Sequence, residues 1–90
     1  MRFVKYYRPN CAPCKIMGRT IEQYMEANPT VTLEEVNVNE LSDEEYAKTG
    51  IKSVPTVKVY LEEKEFVSII GSLQLTAFTN WIDKVLNERS

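Results

Sequence analysis

Phe3-Val4-Lys5-Tyr6-Tyr7-Arg8-Pro9-Asn10-Cys11-Ala12-Pro13-Cys14-Lys15 decides how the whole chain is read. Its first five residues are aromatic or β-branched apart from one lysine, the composition of a short buried strand. Arg8-Pro9-Asn10 breaks that strand. From about Ala12 to Ala27 the pattern turns helical, with Met17, Ile21, Tyr24 and Met25 recurring at three- and four-residue spacing on one face. Pro13 fits the first helical turn, where a missing N–H has no partner to lose. Two cysteines thus stand where a strand hands over to a helix.

Outward from this junction the pattern continues in alternation. Asn28-Pro29 stops the helix, because a residue before proline avoids the α region. Val31 to Val38 reads as a second strand through Val31, Leu33, Val36 and Val38, although Glu34-Glu35 interrupts its alternation. Ser42 followed by Glu45 has the form of a capping box opening a short helix, which Gly50 is placed to close. After Ile51-Lys52-Ser53-Val54-Pro55, Thr56 to Leu61 alternates Val57 and Val59 with polar partners. Glu62-Glu63-Lys64 is a charged turn, and Phe66 to Ile70 is the returning strand of a hairpin. Gly71 ends it. Leu75, Phe78, Ile82, Val85 and Leu86 mark the apolar face of a last helix, with Trp81 beside it.

The order β-α-β-α-β-β-α predicts an α/β fold. A right-handed helical crossover makes the first two strands parallel, and the hairpin adds an antiparallel pair to the same sheet. The expectation is a four-stranded mixed sheet flanked by three helices. Ninety residues leave room for one core, so residues 1–90 are expected to form a single domain.

Composition narrows the function classes. At 43% hydrophobic and 27% charged the chain is that of an ordinary globular protein, and its net charge of −2 offers no general attraction to nucleic acid or membrane. The N-terminus has neither the apolar stretch nor the small-residue cleavage site of a secretory signal, so a cytoplasmic location is expected. The charges are unevenly spread. Arg2, Lys5, Arg8, Lys15 and Arg19 lie within residues 1–21, which hold no acid, whereas the remainder holds 13 acids and 6 bases. Both cysteines fall in the basic segment.

Cys11 and Cys14 are the only two cysteines, separated by two residues. A bridge across so small a loop contributes little to stability, and a disulfide-stapled secreted domain would carry more cysteines at wider spacing. A zinc site needs four ligands as a rule, and the chain has no histidine and no third cysteine, so no metal is expected. A C-x-x-C at a β-α junction reads instead as a redox dithiol. At the helix N-terminus Cys11 faces unpaired N–H groups and the positive end of the dipole, with Lys5, Arg8 and Lys15 nearby. These effects favour thiolate over a thiol whose ordinary pKa is about 8.5. Cys14, one turn further in, should be the more buried and more protonated sulfur.

With Cys11-Ala12-Pro13-Cys14-Lys15 and Gly50-Ile51-Lys52-Ser53-Val54-Pro55-Thr56 in place, and Gly71 ahead of the last helix, the chain resembles the thioredoxin superfamily, and thioredoxins more than glutaredoxins. The resemblance spans almost the whole chain. It implies a thioredoxin-like fold, a cis Val54–Pro55 peptide packed against the cysteines, and β-type pairing of the Val54 backbone with an extended substrate. Three departures stand out. Asn10 and Ala12 replace the usual Trp and Gly around the first cysteine. The extra strand and helix with which thioredoxins open are missing, so the resemblance implies a trimmed, glutaredoxin-sized version. Lys5 occupies the place of a buried acid, six residues before the first cysteine. Lys5 is therefore a candidate modulator of thiol titration, the plainer alternative being a stem along the core with its ammonium in water.

The reaction these features imply is reduction of protein disulfides by dithiol exchange through Cys11 and Cys14, with Ala12, Pro13 and Lys15 forming the loop and Val54 and Pro55 meeting substrate. No bound cofactor is expected beyond the redox-active disulfide itself; an external reductase or glutathione supplies electrons. A monomer is expected, with disulfide-containing proteins and a reductase as partners. Two alternatives remain. One is a glutathione-fed, glutaredoxin-type activity, against which Gly71-Ser72-Leu73-Gln74 stands where a Gly-Gly-Asp type of segment would bind glutathione. The other is a thioredoxin-like module that only binds protein partners.

Overall fold

The aromatic and β-branched run at the start forms strand β1 (Arg2–Tyr7), followed by helix α1 (Ala12–Ala27) and strand β2 (Thr32–Asn37). A 3₁₀ turn (Val38–Glu40) leads to helix α2 (Asp43–Thr49), then to strands β3 (Thr56–Leu61) and β4 (Lys64–Ile70) and helix α3 (Leu75–Arg89). The computed structural model describes residues 1–89. Its four strands form one sheet in the order β2-β1-β3-β4. β1 runs parallel to β2, with Lys5 opposite Glu35, and antiparallel to β3, with Tyr6 opposite Thr56; β3 and β4 are antiparallel. This is the α/β architecture expected from the sequence.

The element ends differ from the pattern where side chains intervene. Val31 lies in a turn whose N–H donates to the Asn28 carbonyl at 3.1 Å. Val38 leaves the sheet because the Asn37 side-chain oxygen accepts from the Asn39 N–H at 3.0 Å, which turns the backbone into the 3₁₀ turn. α1 stops at Asn28, whose side-chain nitrogen donates to the Tyr24 carbonyl at 2.9 Å. α2 carries the full capping box: Glu45 N–H donates to the Ser42 hydroxyl and Ser42 N–H to the Glu45 carboxylate. Those bonds hold the Glu45 carboxyl below its ordinary range. Gly50 closes the helix at φ 74°, where a side chain would be strained.

Alternation along β1 sends Phe3, Lys5 and Tyr7 to one face of the sheet and Val4 and Tyr6 to the other. The first face holds the main core. Phe3, Met17, Ile21, Tyr24, Val57, Val59, Phe78 and Ile82 are buried there, joining β1 and β3 to α1 and α3. On the other face Lys58 donates to the Thr49 carbonyl at the end of α2 and pairs with Glu65 at 3.2 Å.

The β3–β4 turn is tighter than its composition suggests. Glu62 and Glu63 are its two central residues, at φ 55° and 67°. Left-handed backbone disfavours an L side chain by about 1–2 kcal/mol, and such turns usually carry Asn-Gly. Glu63 also reaches Arg2 at 3.8 Å, but its side chain is exposed and the pair contributes little. Glu63→Gly is therefore expected to stabilise the protein by about 0.5–1 kcal/mol, read as a higher urea midpoint at unchanged slope. A lower midpoint would show that the Arg2 contact outweighs the backbone strain.

Candidate functional site

Cys11 is the N-cap of α1. Its backbone is extended, at φ −126° and ψ 107°, and its sulfur accepts from the Cys14 N–H at 3.2 Å. A cysteine thus does what Ser or Asp does at most helix starts, satisfying a backbone donor the helix cannot satisfy itself. The Lys15 N–H donates to the Cys11 carbonyl at 3.2 Å, and Pro13 sits within the first turn. That turn contains no acid. The two sulfurs are joined as a disulfide, with Cα atoms 5.2 Å apart.

The two cysteines differ in access. Cys11 is partly exposed, whereas Cys14 is 2% exposed. Ala12, Pro13 and Lys15 are exposed around them, as is Arg8, whose guanidinium donates to the Asn39 side chain at 3.2 Å. An incoming group therefore meets Cys11, at the positive helix end and among cations, before it could meet Cys14.

Pro55 lies at the same end of the sheet. β1 ends just before Cys11, and Thr56 pairs with Tyr6 near that end. The Val54–Pro55 peptide is cis, with Pro55 fully buried and Val54 half-buried. The Pro55 carbonyl accepts from the Gly71 N–H at 2.9 Å, and the Thr20 hydroxyl of α1 donates to the Leu73 carbonyl at 2.6 Å. These bonds tie the cis-proline segment, the chain after β4 and the cysteine helix to one another.

Lys5 neither lies loose in water nor stands alone. Its side chain is 10% exposed and its Nζ is 3.2 Å from Glu35 Oε2 on β2. Glu35 was not a site candidate in the sequence. Its signal was the Glu34-Glu35 break in alternation, which takes on meaning once parallel pairing sets Glu35 opposite Lys5. Gly18 was missed as well; a Cβ there would stand 3.1 Å from Lys5 Nζ. Among the described residues no three His, Cys, Asp or Glu side chains gather into a metal-binding group, and no helix is long and apolar enough to cross a membrane.

Comparison with known proteins gives a consistent result. The thioredoxin family model matches residues 1–84. Thioredoxin-1 of Saccharomyces cerevisiae is 29% identical over 69 residues, covering 77% of this chain and 66% of that protein. Thioredoxin 1 of Synechococcus elongatus is 24% identical over 84 residues, covering 92% and 78%. A chloroplastic M-type thioredoxin of Chlamydomonas reinhardtii is 27% identical over 85 residues, covering 93% of this chain but 60% of its own length.

Proposed function

The chain belongs to the thioredoxin family, and from that premise we propose that it is a thiol–disulfide oxidoreductase that reduces protein disulfides, with Cys11 as the attacking sulfur and Cys14 as the resolving one. The observation that carries the assignment is the pairing of a reachable sulfur at the N-cap of α1 with a buried one a turn further in.

In the reduced protein the Cys11 thiolate attacks one sulfur of a substrate disulfide. The substrate S–S bond breaks, its other sulfur leaves as a thiolate and takes a proton, and a Cys11–substrate mixed disulfide forms. Cys14 then gives up its proton and attacks the Cys11 sulfur, displacing the second substrate thiolate. Two electrons have moved: the substrate holds two thiols and the protein holds the Cys11–Cys14 disulfide seen here. The Cys14 N–H that bonds to the Cys11 sulfur is placed to steady the thiolate before attack.

The cis Val54–Pro55 segment at the same sheet end supports a role in aligning an extended substrate strand, through the backbone of Val54. Ala12, Pro13 and Lys15 would then form the rim that meets substrate. A separate reductase is required to return electrons to the pair; the absence of a Gly-Gly-Asp segment at Gly71-Ser72-Leu73-Gln74 favours an enzyme reductase over glutathione.

Insulin reduction coupled to NADPH through thioredoxin reductase, or through glutathione and its reductase, tests the reading. Turnover is expected with the first system. Turnover with glutathione alone would move the assignment to a glutaredoxin-type activity, and turnover with neither, from a protein whose disulfide is reducible by dithiothreitol, would leave a binding module.

A further inference from the structure

Lys5 takes no part in the exchange above, yet it is buried beneath the helix that carries both sulfurs. The near approach of its Nζ to Gly18 places the ammonium against α1 itself. Gly18 is four residues beyond Cys14 and therefore on the same helix face, one turn along. The groups around the ammonium can be named element by element. From β1 the Tyr7 ring centroid is 5.2 Å from Nζ. From β3, Val57 stands opposite and is uncharged. From β2, Glu35 makes the ion pair at 3.2 Å. From α1, Glu22 and Glu26 line a groove shared with Glu35, Met25 and Leu33.

We propose that Lys5 and Glu35 form a charge-compensated pair that sets the redox poise of the Cys11–Cys14 couple, with Glu35 the tuning residue and Gly18 the residue that admits the ammonium to the helix face. The inference rests on the exchange reaction assigned to the two cysteines. Reduction by two electrons converts a neutral disulfide into a thiol and a thiolate. A fixed cation held against the same helix stabilises that negative charge, hence the reduced form, and makes the couple more oxidising. Glu35 cancels much of this field. The compensated pair therefore keeps the protein a reductant in spite of a buried lysine under its active site. Glu35 and Lys5 act through the cysteines and touch no substrate, so both are positioning residues.

Equilibration with a fixed ratio of reduced to oxidised glutathione reads the poise directly, and absorbance of the Cys11 thiolate against pH reads the same field in the reduced protein. Glu35→Gln keeps an oxygen for the ammonium to donate to but removes the charge. It is expected to raise the dithiol-to-disulfide ratio about three- to tenfold, the range set by screening at a half-exposed carboxylate, and to move the thiolate midpoint down. Lys5→Met is expected to move both readings the opposite way. Gly18→Ala, whose methyl displaces Nζ from the helix, should follow Lys5→Met by a smaller amount. A structural role alone would change melting without this sign pattern. Glu35→Gln at the parent's ratio and midpoint, or shifted in the Lys5→Met direction, overturns the proposal, and that variant suffices should Lys5→Met fail to fold. The comparison needs only a pair that equilibrates with glutathione, so a parent inactive on insulin would overturn the proposed function and leave this result standing or falling by itself.

Discussion

Cys14→Ser is expected to stop turnover at the mixed disulfide, leaving a one-to-one covalent adduct between Cys11 and substrate that dithiothreitol releases. Its hydroxyl cannot displace a sulfur, so the first exchange proceeds and the second does not. Cys11→Ser should form no such adduct, because the remaining sulfur is the buried one, 2% exposed and inside the first turn of α1. Both variants should reduce insulin no faster than the uncatalysed background. Non-reducing electrophoresis and intact mass of the adduct make the comparison. An adduct that accumulates on Cys11→Ser, with Cys14 as the linked residue, would reverse the assignment of the two sulfurs.

Phe78→Ala should be the most damaging single truncation in the core. The ring is fully buried and stands between Phe3 and Tyr24, with centroid separations of 5.7 and 5.3 Å and edge-to-face geometry on both sides. With Ile82, it is a contact through which α3 closes over β1 and α1. Removing it should cost about 3–5 kcal/mol, combining lost burial with an unfilled cavity, against a total stability of about 5–15 kcal/mol for a domain of ordinary size. A urea titration should show the midpoint falling by about a fifth or more, or a chain unfolded before any urea is added. Phe78→Leu should retain most of the stability, since it keeps the apolar volume. A loss below about 1 kcal/mol in Phe78→Ala, well under the usual range for such truncations, would mean that the core relaxes into the space.

Local patterns made most of the element order legible. The Ser42/Glu45 box and Gly50 bracket α2 because caps act within four residues and are encoded where they act. The apolar spacing of Met17, Ile21 and Tyr24 names the buried face of α1, and the same residues are found in the core. The strand limits were less legible. Val31 and Val38 look like strand residues by type, yet the turn at Asn28 and the Asn37 side chain claim the backbone on either side of β2. Glu62 and Glu63 gave no warning of left-handed backbone, since glutamate rarely adopts it. There the two strands, already in register, impose the turn on the residues available.

The candidate site divides in the same way. That one sulfur would stand at a helix N-terminus, with a second one turn inside it, followed from spacing, proline placement and the strand-to-helix change alone, because each is a short-range property of the backbone; that the first sulfur caps the helix came with the structure. What surrounds Lys5 did not follow. Its partner Glu35 is 30 residues away in sequence, and its neighbour Gly18 lies on another element altogether. Only the parallel register of β1 on β2 and the packing of α1 across them bring the three together, because pairing over such separations is set by how whole faces fit rather than by any local preference.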